Sequence, residues 1–506
     1  MAHPRNLSKS KLLAFRQCPR RLWLEVHCKD LRQDSAGAQA SFAVGHTVGD
    51  IARRIYATDG QGTFLDVSEI GFDEALRATD RLVRSDQPIF EAGFQADGAL
   101  AFADILLPVG ESEPQQWRMV EVKSSSKVKD YHRDDAAIQS FVARQSGVSL
   151  VGIALAHIDS KWVYPGNEDY QGLLKEEDLT KEAFGRTEEV EGWIAAAQTV
   201  AKLESEPKIL TGQHCRDPFE CGFFTHCRAE EPVAEHPVEW IPRVANTLKT
   251  LPAPEGVIDM TQVPDDLLNE KQLRVKQCTL ENRIHFDRVG AAAALSKHSL
   301  PGLFLDFETI RFVVPIWAGT RPYRQIPFQF SLHVLGADGV LSHSFFLDLS
   351  GEDPSQKFSR ALITACALPG PIFVYSGFES SRIKELAERY PQHREGLLAL
   401  LPRLVDLLPV ARDHYYNPSQ EGSWSIKKVL PAMAPELRYD ALEGVQDGTA
   451  AMSAYLEAIS PQTSAERKTE IESQLLTYCR LDTFAMIRVW AVLAGRDDMR
   501  HLPDNA

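Results

Sequence analysis

The sequence predicts an α/β (α+β) protein made of two successive units, and three observations lead there. At 506 residues the chain exceeds what one ordinary core holds; at about 150 residues per domain it has room for two to four units. Each half contains a group of short apolar, β-branched and aromatic runs among segments of helical period, the pattern of a mixed sheet with helices around it. No apolar run approaches the roughly 18 residues of a spanning helix, and MAHPRNLSKSK lacks the apolar region of a signal peptide. With 44% hydrophobic and 25% charged residues, a cytoplasmic protein without membrane contact is expected.

The first unit is expected over residues 1–235. Helices are predicted near 10–26 and 41–57, strands near 99–107 and 117–123, a helix near 131–145 and a strand near 148–157. Residues 236–298, from HPVEWIPRV through LPAPEGVID, read as a mostly helical connector. The second unit, 299–495, opens on the strand LFLDFETI and continues through QFSLHVLG, HSFFLDL and PIFVYSG before turning mainly helical; 496–506 is a tail.

In LFLDFETI two acids, Asp306 and Glu308, interrupt a run that is otherwise apolar. Alternation along a strand puts i and i+2 on one face, so the two carboxylates point the same way. Paired buried carboxylates repel unless something compensates, and divalent ions with oxygen ligands do so. The plain alternative is an edge strand with a solvated acidic face. Downstream, Glu379 starts a helix just after a buried strand, and YCRLDTF sets Tyr478 and Asp482 four apart on one helical face. The set resembles the DnaQ-like exonucleases of the ribonuclease-H-like fold, in the branch with tyrosine in the last motif (DEDDy). That resemblance implies two metal ions held by Asp306, Glu308, Glu379 and Asp482, with Tyr478 orienting the attacking water. The family usually has Asp where this chain has Glu379, with an Asn shortly before it that YSGF lacks; Asp406 in PRLVDLLP is the fallback ligand.

In the first unit, WRMVEVKSSSKV puts Glu121 and Lys123 on one strand face, and ALAFADILLP presents Asp104 in a neighbouring apolar strand. Asp followed by Glu-x-Lys resembles the PD-(D/E)XK nuclease core. There the acids hold a divalent ion and the lysine orients water and stabilises developing charge. Alternating charges also mark any exposed strand. By resemblance to RecB-type members, His46 is a metal ligand and Gln139 the glutamine of the following helix; position 143 is Ala where those enzymes carry Tyr.

Of eight cysteines, Cys215, Cys221 and Cys227 lie at two equal spacings in QHCRDPFECGFFTHC, and Cys18 in LLAFRQCPRRLWLE has a comparable setting. Pro19 can end one helix and begin the next. Four thiolates, or three with His214 or His226, also suit a structural zinc; free buried thiols are the third reading. One early cysteine and a C-terminal trio around the Asp and ExK core resemble the CRISPR-associated and AddB-type RecB nucleases, which implies a [4Fe-4S] cluster. Cys28, Cys278, Cys366 and Cys479 have no such company.

The whole resembles a bacterial family that fuses a RecB-like iron-sulfur nuclease to a DnaQ-like exonuclease. This implies a Mg2+- or Mn2+-dependent nuclease, with DNA more than RNA as its nucleic-acid partner, serving repair or defence, and a helicase or defence-system protein as a further partner. The net charge of −15 runs against the basic signature of nucleic-acid binders, whereas Lys9, Lys11, Arg16, Arg20 and Arg21 concentrate positive charge near the start. No Walker-type phosphate loop is present. Two other readings remain at this point: a degenerate, DNA-end-binding or partner-binding scaffold, and an RNA-processing exonuclease.

Overall fold

The computed structural model describes residues 6–57, 60–110, 114–251 and 257–503. The chain divides into two compact units, Met1–Pro232 with Phe312–Arg324, and Val233–Arg311 with Gln325–Ala506. Each is mixed α/β, and among the described residues no helix is long and apolar enough to cross a membrane.

Strands β1 (Leu7–Ser8), β2 (Thr63–Phe64), β3 (Ile89–Ala96), β4 (Ala99–Val109), β5 (Gln116–Lys123), β6 (Leu150–Ile158) and β7 (Leu174–Asp178) build the sheet of the first unit. Its order is β2-β3-β4-β5-β6-β7, with β1 beside β4. Asp97 and Gly98, both at positive φ, make the tight turn between antiparallel β3 and β4, the usual chemistry of a two-residue hairpin. β5 and β6 are parallel, so the chain must cross over between them, and helix Asp130–Gln145 does so. That helix packs on the face that carries Met119, where Ala143 is fully buried. Helix Ala36–Tyr56 covers the opposite face through Val48, Ile51 and Ala52 against Val120, Val122 and Ile158. Alternation along β5 then assigns Glu121 to the side of helix Asp130–Gln145.

Helices Lys9–Gln17 and Pro19–His27 meet at Cys18, which is C-cap of one and N-cap of the other, with Pro19 at the start of the second. Helix Phe72–Leu82 and strands β3 and β7 are absent from the sequence-predicted elements. In β3, Glu91 sits at φ 59, a left-handed conformation that breaks the regular alternation of a strand.

In the second unit, β9 (Gly302–Arg311), β10 (Gln325–Leu335), β11 (Leu341–Leu347), β12 (Ile372–Val374) and β13 (Leu404–Asp406) form a sheet in the order β11-β10-β9-β12-β13. β9 is central, antiparallel to β10 and parallel to β12. One face buries Leu303, Leu305 and Phe307 with Phe358 and Leu362 of helix Ser355–Ala365 and Ile383 and Leu386 of helix Phe378–Arg389. The other face carries Phe304, Asp306 and Glu308 beneath the long helix Ala465–Leu493, whose Trp490 meets Phe304 edge-on at 5.8 Å.

The expected division at 236–298 is corrected. That segment folds into the second unit: β8 (His285–Phe286) pairs with β14 (Tyr415–Tyr416), and the Thr279 hydroxyl lies 3.0 Å from that of Tyr416. Met499, in the expected tail, is buried in the same unit. Phe312–Arg324, which links β9 to β10, folds instead with the first unit, where Gly319 N–H donates to Tyr164 O and Tyr164 N–H to Thr320 O. A reading along the chain cannot see such backbone exchange between distant segments.

Candidate active sites and the cysteine cavity

In the second unit, the central position of β9 buries Glu308 and leaves Asp306 half-buried. Oxygens of Asp306, Glu308 and Asp482 lie within 4.8 Å of one another. Tyr478 and Asp482 share a face of helix Ala465–Leu493, and both are buried. Burial, then Asp482, Glu379 and Glu308, push Asp306 well above the ordinary carboxylate range. Burial and the neighbouring Asp482 raise Glu308 to about 8. Burial raises Asp482 itself to about 6, restrained by hydrogen bonds from Tyr439 and Tyr478 and by Lys427. Such raised values describe acids whose burial and mutual repulsion outweigh the positive charge of Lys427.

Glu379, at the start of its helix, is 3% exposed, and its Oε2 is buried without a hydrogen-bond partner. Burial raises it to about 8. It acts by charge on Asp306 and Glu308 but stands outside the converging group of three. Asp406, the fallback ligand, caps helix Leu407–His414 by accepting from Leu408 N–H at 2.9 Å, and also stands outside that group.

Sequence reasoning missed Tyr439 and Lys427. The Tyr439 hydroxyl donates to Asp482 Oδ1 at 2.6 Å, and Lys427 Nζ lies 5.0 Å and 5.2 Å from the ring centres of Tyr478 and Tyr439. Nothing in SIKKVLPAMAPELRYD marks them, because the loop connections rather than any residue spacing bring them to Asp482. Partners that hold a metal-binding carboxylate commonly matter tenfold to a hundredfold for metal affinity. If these acids hold Mn2+, Tyr439→Phe is expected to weaken that binding by about tenfold, measured by titration against the unaltered chain, with no loss of the fold.

In the first unit, Asp104, Glu121, Lys123 and Gln139 do come together. Asp104 Oδ2 accepts from Val122 N–H at 2.7 Å, Lys123 Nζ donates to Glu121 Oε1 at 2.6 Å, and Gln139 Nε2 donates to Glu121 Oε2 at 2.5 Å. The structure adds two residues. Asp135 accepts from Lys123 at 2.5 Å and from Gln139 at 2.9 Å, and Lys9 reaches Glu121 at 2.8 Å. Burial, then Asp104 and Asp135, raise Glu121 to about 7. Burial would also raise Asp135, but Lys123 and Lys9 outweigh it and hold that carboxyl well below its usual range.

His46 is not brought to these acids. It is exposed, on the side of helix Ala36–Tyr56 turned away from Val48, Ile51 and Ala52, and that helix covers the sheet face opposite Glu121. The expected ligand role of His46 is corrected accordingly.

Cys18, Cys215, Cys221 and Cys227 are all buried, free of disulfides, and line one small cavity with Arg20, Arg21 and His214. Burial raises the Cys227 thiol to about 12 and those of Cys18 and Cys215 above their usual value. The four sulfurs line one cavity as a single soft donor set, the kind that takes either zinc or an iron-sulfur cluster. His226 instead faces Glu206 at 3.5 Å, and the carboxylates of Glu206 and Glu230 are taken by the Arg20 guanidinium. Arg20 and Arg21 are buried, so this part of the basic stretch serves the cavity rather than an open surface.

Residues 303–425 match a family described as a domain of unknown function (DUF2779). The matched stretch contains Asp306, Glu308, Glu379 and Asp406 and ends before Tyr478 and Asp482. No curated protein matches the chain.

Proposed function

We propose that the chain is a metal-dependent nuclease that hydrolyses phosphodiester bonds of DNA, with a DnaQ-like 3′-to-5′ exonuclease site in the second unit and a PD-(D/E)XK site in the first. The observation that carries this reading is the convergence of Asp306, Glu308 and Asp482 within 4.8 Å on a largely buried face, with the unpartnered Oε2 of Glu379 in charge range of them. Three buried acids and the half-buried Asp306 have no structural use for their mutual repulsion, whereas hard divalent cations bind to oxygen sets of this kind.

Bound there, two Mg2+ or Mn2+ ions would stabilise the attacking and leaving oxygens of the phosphodiester. The chain's own residues do the rest. Tyr439 holds Asp482 by a hydrogen bond, Tyr478 would orient a water, and the burial of both tyrosines would keep bulk solvent from competing. In the first unit Asp104 and Glu121 would hold an ion, Gln139 orients Glu121, and Lys123 offers a positive charge to the developing anion. The four cysteines would hold a [4Fe-4S] cluster. The reading extends to a cytoplasmic role in repair or defence beside a helicase or defence-system partner.

A non-catalytic first unit has one observation in its favour: Lys9 and Lys123 already pair with Glu121 and Asp135. The two readings part on end-labelled single- and double-stranded DNA and RNA incubated with and without Mn2+. The unaltered chain should degrade DNA only with the ion, and Asp306→Asn should leave a residual cleavage that Lys123→Ala removes. Binding without any metal-dependent cleavage would leave the scaffold in place of the enzyme.

A further inference from the structure

Lys9 is the first residue of helix Lys9–Gln17, capped by Ser8, and β1 pins that start to β4, the strand that carries Asp104. Its backbone is thus fixed while its side chain reaches into the first site. Nζ lies 2.8 Å from Glu121 Oε1 and 3.4 Å from Asp135 Oδ1. Lys123 holds the same two carboxylates more closely, at 2.6 Å and 2.5 Å.

Asp104, Glu121 and Asp135 surround these two ammoniums, and Glu91 of β3 adds a fourth carboxylate within charge range of Lys9, Asp104 and Glu121. A divalent ion bound to Glu121 competes with both ammoniums for the same carboxylate oxygens, and the ammonium with the longer contacts is Lys9. A second sign that the arrangement awaits a ligand is Gln139, which is fully buried yet leaves its Oε1 without a partner.

We propose that Lys9 is a second lysine of the first site, holding Glu121 and Asp135 while they carry no divalent ion and moving its ammonium onto a phosphate oxygen of a nucleic-acid strand once they do. A lysine suits this exchange because its charge is compact, carried on a flexible stem and free of the fixed fork of arginine. The inference rests on reading the site as metal-dependent, and the test separates the two.

The test uses the full chain carrying Asp306→Asn, so that the second site is quiet, and compares Lys9→Met, Lys9→Arg and Glu121→Gln. Two quantities are measured: Mn2+ affinity, and the salt dependence of binding to a short single-stranded DNA in Ca2+. Lys9→Met should bind Mn2+ severalfold more tightly, because a competing cation is gone. It should also flatten the plot of log affinity against log salt by about 0.7, the loss of one phosphate contact on a single strand. Lys9→Arg should restore the slope. If Lys9→Met changes neither quantity while Glu121→Gln abolishes Mn2+ binding at this site, Lys9 is only a structural ion pair and the proposal fails alone. If Glu121→Gln binds Mn2+ as well as its parent, the metal site fails and takes the proposal with it.

Discussion

Under the proposed two-metal reading, Asp306→Asn is expected to lower 3′-to-5′ exonuclease activity by roughly a thousandfold or more, because ligands of one metal centre act as a unit and losing one disables the rest. The same substitution should act on stability in opposite directions with and without metal. In chelator, Asp306 lies far above its ordinary range, Glu308 and Glu379 titrate near 8, and Asp482 near 6. In the unfolded chain these groups return to about 4. A folded value above the unfolded one means that the native protein holds its protons longer. The stability tied to them is fully present below about pH 4 and is lost as pH rises through 6 and then 8. Metal-free protein should therefore melt at progressively lower temperature across that window, and Asp306→Asn, with one acid fewer, should show a shallower decline.

With excess Mg2+ the order reverses. An ion that binds only the native state at a hundred times its dissociation constant adds about 2.7 kcal/mol, worth roughly 5–10 °C in a unit of this size. The asparagine variant should lose most of that gain. Both chains should carry Glu121→Gln so that the first site contributes little to the shift. Equal Mg2+ shifts in the two proteins would return Asp306 and Glu308 to a plain acidic strand face.

What was legible in the sequence followed from local periodicity. The shared face of Asp306 and Glu308, the helical pairing of Tyr478 with Asp482, the Glu121–Lys123 pair and the break at Pro19 all come from spacings of two to four residues, which geometry fixes before any tertiary contact forms. Asp135 was not legible, because its neighbour Asp134 looks the same in sequence yet faces outward to Arg16 and Arg186. Lys9, Lys427 and Tyr439 reach their carboxylates across long separations, so topology alone selects them. His46 carried a signal that could have excluded it. Val44, Val48, Ile51 and Ile55 recur at intervals of four, three and four, marking the face buried against the sheet, and His46 lies on the far side of that stripe.

Loss of any one of Cys18, Cys215, Cys221 and Cys227 should unfasten the first unit. Cys18 is the joint between two N-terminal helices, whereas Cys215 ends the short turn Gln213–Cys215, Cys221 lies in the loop that follows and Cys227 lies within helix Phe224–Ala229. A cluster bound to all four would close a loop of nearly two hundred residues. By chain entropy a link of that span is worth about 5 kcal/mol, more than an ordinary buried Cys→Ser substitution removes. Protein purified without oxygen is expected to be brown with about four irons per chain. Each Cys→Ser variant should be pale and melt roughly 10–20 °C lower in the first unit. Cys278→Ser and Cys366→Ser, buried elsewhere, should keep the colour whatever they do to the core. The raised thiols argue in the same direction: a buried thiol without metal stays protonated and inert, so the cavity gains its binding energy only when an ion or cluster takes the protons' place. Colourless protein with one zinc per chain would replace the cluster by a structural zinc, and protein with neither would leave four packed thiols and a far smaller loss on substitution.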